Sequence, residues 1–111
     1  MKIKLLDYNT VVVLELQGEF DSDSTEFFEQ NIFQAISKKT GRIVLNMAEV
    51  DFIDSAGLGK LLWVRETCSG KNCQFRLACL TENCRKILEI TGLDKEFTTS
   101  AELSEAVKSF V

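Results

Sequence analysis

The sequence predicts an α/β fold: one domain spanning residues 1–111, with a mixed, mostly parallel sheet of four or five strands and about four helices. Three observations predict it. Apolar stretches with a period near two alternate along the chain with stretches whose apolar residues recur every three or four positions, as in strands joined by crossover helices. A length of 111 residues supplies one compact core and not two. Proline is absent, and no linker, repeat or low-complexity tract divides the chain.

The elements follow in order. KIKLLDY sets Ile3 and Leu5 against lysines, and VVVLELQG follows after the short polar step Asn9–Thr10, so the two are expected to pair as a hairpin. After the polar DSDSTE, the spacing of Phe28, Ile32, Ala35 and Ile36 predicts a helix, stopped by Gly41. RIVLNM has the continuous apolar run of a strand buried on both faces. GLGKLLWVRETC, with Leu58, Leu61 and Leu62 to one side, predicts a second helix directly after the DFID loop. QFRLACL is expected to be a strand in which Phe75, Leu77 and Cys79 alternate with Arg76 and Ala78. TENCRKILEITG predicts a third helix with Thr81 as N-cap and Gly92 just past its end. A short strand is expected around residues 96–98. Ser100 is then expected to cap a last helix carrying Leu103, Ala106, Val107 and Phe110 on one face. Both faces of the sheet need cover, and crowding of the helices onto one face is compatible with the pattern.

Composition excludes several functions. Lys and Arg total 13 against 17 Asp and Glu, a net charge of −4, which does not provide the cationic footprint of a nucleic-acid binder. No apolar run approaches the roughly 20 residues of a membrane helix, and the N-terminus lacks the apolar core of a signal peptide. A cytoplasmic location without membrane insertion is therefore expected. Cys68, Cys73, Cys79 and Cys84 lack the close pairs of common zinc sites, and no histidine is present to share ligation. They are expected to be structural thiols, with a metal or disulfide role as the alternative, and Cys79 is expected to be a small buried hydrophobe in its strand.

The segment DFIDSAGLGK (51–60) carries the densest chemistry. Ser55 as a nucleophile needs a base, and the chain has no histidine and no G-x-S-x-G elbow. Asp51 and Asp54 form only a weak magnesium pattern with Asp21 as a distant third carboxylate, and GLG is too short for a nucleotide fingerprint. No cofactor, metal or enzymatic activity is expected. The plainest role for Ser55 is the N-cap of the second helix, with Ala56, Gly57 and Leu58 as its first turn. A cap does not account for Gly57 and Gly59, since each glycine inside a helix costs about 0.8–1.0 kcal/mol relative to alanine. Close approach of another chain or a ligand would account for them, and bulk at Gly57 is then expected to impair binding more than stability. An exposed hydroxyl at a helix N-terminus could also receive a phosphate of roughly −1.5 to −2 charges.

LELQGEFD, IVLNMAEVDFIDSAGLGKLL and KILEITGLDKEF together resemble the STAS domains of bacterial anti-sigma factor antagonists, over nearly the whole chain and in the same order. The resemblance implies a cytoplasmic phospho-switch. The unphosphorylated protein would bind an anti-sigma factor that is also a serine kinase, so releasing a sigma factor. Phosphorylation of Ser55 by that kinase would end the association, and a PP2C-type phosphatase would restore it. By the same resemblance Asp21 and Asp54 match the acids framing the serine, and Ala56, Gly57, Leu58 and Gly59 match the start of the partner-binding helix. Asn46 departs from the family pattern, which commonly has aspartate there. Trp63 and Arg65 are further candidate contacts, Trp63 alternatively packing on a neighbouring helix. Two rival functions stand beside the switch: a scaffold or subunit of a membrane-associated system whose serine is never phosphorylated, and a small enzyme or nucleotide-binding protein using Asp51 and Asp54.

Overall fold

A computed structural model describes residues 1–38 and 40–110. Five strands form one sheet in the order of the sequence: β1 (Lys2–Tyr8), β2 (Val11–Gln17), β3 (Arg42–Glu49), β4 (Gln74–Ala78) and β5 (Thr99–Ser100). β1 and β2 form the expected antiparallel hairpin, and the other three pairings are parallel. Asn9 turns the hairpin with φ of 58°, a left-handed conformation that asparagine tolerates better than most side chains.

Each parallel step moves one strand further in the same direction, and right-handed crossovers then pass over the same face. The helices α1 (Thr25–Ser37), α2 (Ser55–Ser69) and α3 (Glu82–Ile90) accordingly share one side of the sheet. There Phe28 and Ile32 of α1, Leu61 and Val64 of α2, and Leu88 of α3 pack with Leu14 and Leu16 of β2 and with Leu45 and Met47 of β3. The opposite face carries Val11, Val13, Val44 and Ala78 under Ala106 and Phe110. That cover comes from α4 (Leu103–Lys108) and the residues just after it. Burial on both faces explains the unbroken apolar runs of β2 and β3. None of the helices is long and apolar enough, among the described residues, to cross a membrane.

The Thr81 cap is as expected: its hydroxyl accepts the Cys84 N–H at 3.2 Å. Gly92 follows α3 with φ of 75°, a conformation that favours glycine. Three expectations in the last third of the chain are corrected. Residues 94–96 form a 3₁₀ turn, and the short strand lies later, at Thr99–Ser100. Ser100 is therefore taken up by pairing with Ala78, and the residue capping α4 is Glu102. Cys79 lies beyond the end of β4, half-buried and with φ of 60°, and its N–H donates to the Ser100 carbonyl at 3.0 Å. It turns the chain out of the sheet and is only partly buried, packing at the edge of the cluster beneath α4.

Candidate functional site

The DFIDS segment links the C-terminal end of β3 to α2 and is tied down at both ends. At its start the Val50 carbonyl accepts the Thr81 hydroxyl at 2.9 Å and the Cys84 thiol at 3.0 Å. Burial pushes the Cys84 thiol above its ordinary pKa, opposed by its hydrogen bond with Thr81. Further on, Phe20, just beyond β2, pairs with Ile53 in a parallel bridge. The Phe20 N–H donates to the Phe52 carbonyl at 2.9 Å, and the Phe20 carbonyl accepts the Asp54 N–H at 3.1 Å. These bonds extend the β2–β3 pairing into the loop and fix where α2 begins.

Asp54, extended at φ −96° and ψ −175°, is the N-cap of α2. Its Oδ1 accepts the Gly57 N–H at 2.9 Å, and its carbonyl accepts the Leu58 N–H at 2.9 Å. The expectation that Ser55 caps this helix is corrected. Asp54 is the residue held extended by Phe20, so its carboxylate, not the next hydroxyl, faces the uncovered amides. Ser55 is the first helical residue and is exposed.

The expected reason for Gly57 is also corrected. Gly57 is buried, and a Cβ there would lie 2.4 Å from the Phe20 carbonyl oxygen and 2.8 Å from Ile53 Cγ2. The close approach is made by the chain to itself. Gly59 differs: a Cβ there meets nothing within 4 Å, and the residue is exposed. Leu58 belongs to the core beside Leu61, while Ala56 is half-buried. Of the expected surface, Ser55, Ala56 and Gly59 remain outward, with Asp54 at the edge.

Asp21 follows Phe20 and so lies at the same end of the sheet. Its Oδ1 accepts the Asp23 N–H and the Ser24 hydroxyl, both at 3.1 Å, pinning the carboxylate in the turn before α1. Asn46 alternates with Leu45 and Met47, so it lies on the α4 face, where its Oδ1 accepts the Ala48 N–H at 3.1 Å. Asp51 is exposed in the loop, and no cluster of three or more metal-ligating side chains occurs among the described residues. Phe52, 47% exposed beside the site, was not singled out from the sequence. The available signal was an aromatic directly after Asp51 in a loop that ends on Asp54.

Trp63 packs against the neighbouring helix: it meets Phe33 of α1 edge-on, with ring centroids 5.3 Å apart. Lys60 lies 5.4 Å from the Trp63 ring and pairs with Glu29 at 3.2 Å, so these four residues form the α1–α2 seam. Arg65 is exposed and pairs with Glu96 at 3.1 Å.

Comparison with known proteins adds four findings. The family model for the STAS domain matches residues 2–106. The anti-sigma-F factor antagonist RsfB of Mycobacterium tuberculosis is 27% identical over 95% of this chain and 85% of its own length. Among solved structures, an anti-sigma factor antagonist from Mycobacterium paratuberculosis superposes with a TM-score of 0.86 at 25% identity, covering 97% of this chain and 92% of its own. The Bacillus cell fate determinant SpoIIAA in its phosphorylated form superposes with a TM-score of 0.72 at 23% identity, covering 99% and 100%.

Proposed function

The chain belongs to the STAS domain family, and we propose that within it the protein is an anti-sigma factor antagonist switched by phosphorylation of Ser55. The unphosphorylated form binds an anti-sigma factor serine kinase and so frees a sigma factor; a PP2C-type phosphatase regenerates that form. The observation carrying this reading is the placement of Ser55: an exposed hydroxyl on the first turn of α2, beside a capping carboxylate and a fixed loop. The names of the relatives support it, as does the existence of a phosphorylated form of the Bacillus protein.

The geometry supplies the electrostatics of such a switch. A phosphate on Ser55 adds roughly −1.5 to −2 charges, and the first-turn Gly57 amide is already taken by Asp54. The added anion therefore gains only the helix-end term of about 0.3–1 kcal/mol and stands next to a like charge. The free fold tolerates it. A partner seated over Ser55, Ala56 and Gly59 would have to desolvate an unpaired dianion, which costs several kcal/mol.

The test begins with a Ser55→Ala bait to capture the kinase from the source cells. Incubation of the parent with that kinase and ATP should add one phosphate, and Ser55→Ala should gain none. Ser55→Asp should bind the kinase at least tenfold more weakly, about 1.4 kcal/mol, and Ser55→Ala should bind like the parent. An unmodified parent together with undiminished Ser55→Asp binding refutes the switch and leaves the non-phosphorylated scaffold.

A further inference from the structure

Apart from Cys84, which anchors the loop through the Val50 carbonyl, the cysteines play no part in the proposed switch, and two of them form a pair. Cys68 ends the buried stripe of α2, and Cys73 precedes β4, separated by the turn of residues 69–72. The Cys73 N–H donates to the Cys68 carbonyl at 2.9 Å, which closes that turn, and the two cysteines line the wall of one surface cavity. Their accessibility is unequal. Cys68 is 2% exposed, whereas Cys73 is half-exposed and stands between two surface cavities. One, of about 520 Å³, is lined by Ile36, Ile43 and Lys71 as well as Cys73; the other, of about 270 Å³, has both cysteines on its wall beside Arg65 and Arg76. The remaining pair is differently disposed: Cys84 is committed to the Val50 carbonyl, and Cys79 lies at the exit of β4.

We propose that Cys73 and Cys68 form a redox modification site at which a small-molecule disulfide is reduced and an intramolecular Cys68–Cys73 disulfide is formed. The Cys73 thiolate attacks one sulfur of the reagent; a mixed disulfide forms and the first small thiolate leaves. Cys68 then gives up its proton to solvent and attacks the Cys73 sulfur, expelling the second small thiolate. Two protein thiols are oxidised and one disulfide is reduced to two thiols, so atoms and electrons balance. The division of labour follows from the surroundings. The neighbouring Cys68 thiol holds Cys73 below its ordinary pKa, while Cys73 and burial hold Cys68 above its own; once Cys73 is in the mixed disulfide its charge no longer opposes ionisation of Cys68. The product ties the C-terminal end of α2 to the start of β4. The inference is independent of any modification at Ser55.

Oxidised glutathione is the probe. The folded parent, treated with it and then alkylated, should carry two alkyl groups instead of four, and its mass before alkylation should fall by two hydrogens. Trypsin should release ETCSGK (66–71) joined to NCQFR (72–76). Cys68→Ser should stop with one glutathione on Cys73, and Cys73→Ser should remain unmodified. Four alkylated thiols in the parent, a link involving Cys79 or Cys84, or an adduct on Cys68 in the Cys73→Ser protein would each overturn the proposal. The peptide map of the parent requires no substitution, so a variant that folds poorly does not remove the test.

Discussion

Replacing Gly57 by alanine probes the junction on which the site is built. In a helix interior that change ordinarily stabilises by about 0.8–1.0 kcal/mol. Here the new methyl would sit 2.4 Å from the Phe20 carbonyl oxygen, 2.8 Å from Ile53 Cγ2 and 3.1 Å from Phe20 Cδ1. The first contact is with backbone, which cannot rotate away, so α2 must lift from the β2 extension. Overpacking of this kind costs about 1–3 kcal/mol. Displacing the Phe20 carbonyl also loosens its bond from the Asp54 N–H, currently 3.1 Å and worth about 0.5–1.5 kcal/mol. After subtracting the helix gain, Gly57→Ala should destabilise by roughly 1–3 kcal/mol. Gly59→Ala is the control, because nothing lies within 4 Å of its Cβ position; it should stabilise by up to about 1 kcal/mol. Urea unfolding followed by Trp63 fluorescence measures both, and with m of about 1–3 kcal/mol/M the two midpoints should move in opposite directions. A Gly57→Ala midpoint at or above that of the parent, with unchanged m, would refute the argument.

Two further predictions concern the other anchor of the loop. Thr81→Ala removes the α3 cap and one donor to the Val50 carbonyl, and should cost about 1–3 kcal/mol; thermal unfolding should show Thr81→Ser regaining most of it, and equal losses for both would discount the hydroxyl. Cys84 gives a pH dependence: its folded pKa is raised from the ordinary 9.0, so its contribution is fully present below that value and is lost as pH rises past it, where only the unfolded chain readily ionises. Urea midpoints measured across the alkaline range should fall more steeply for the parent than for Cys84→Ala, and parallel curves would show that this thiol is not held neutral by the fold.

Local pattern was enough for the alternation of strands and helices, for the hairpin and for the Thr81 cap, because each depends on residues a few positions apart. It was not enough where distant segments compete. Asp54 and Ser55 are both good caps, and the choice between them is made by Phe20, more than thirty positions earlier. The space denied at Gly57 comes from that same carbonyl, so no inspection of AGLG could have found it. Ser100 looked like a cap until β4 claimed it as an edge partner. Cys79 continued an alternating pattern, yet its left-handed backbone ends the strand, and cysteine carries no local signal for that conformation. At the candidate site, the serine, its acids and the outward Gly59 were legible. The inward roles of Gly57 and Leu58, and the exposure of Phe52, depended on tertiary packing.

The bonds that join Phe20 to residues 52 and 54, and Val50 to Thr81 and Cys84, bear on how Ser55 can be recognised. A hydroxyl held this way is not displayed on a pliable strand that an enzyme can draw into an extended cleft. It is part of a solid relief assembled from three separate stretches of chain. An enzyme acting on it in the native protein must bring a surface moulded to that relief, and the ten residues DFIDSAGLGK cut free of the fold would no longer present the same substrate.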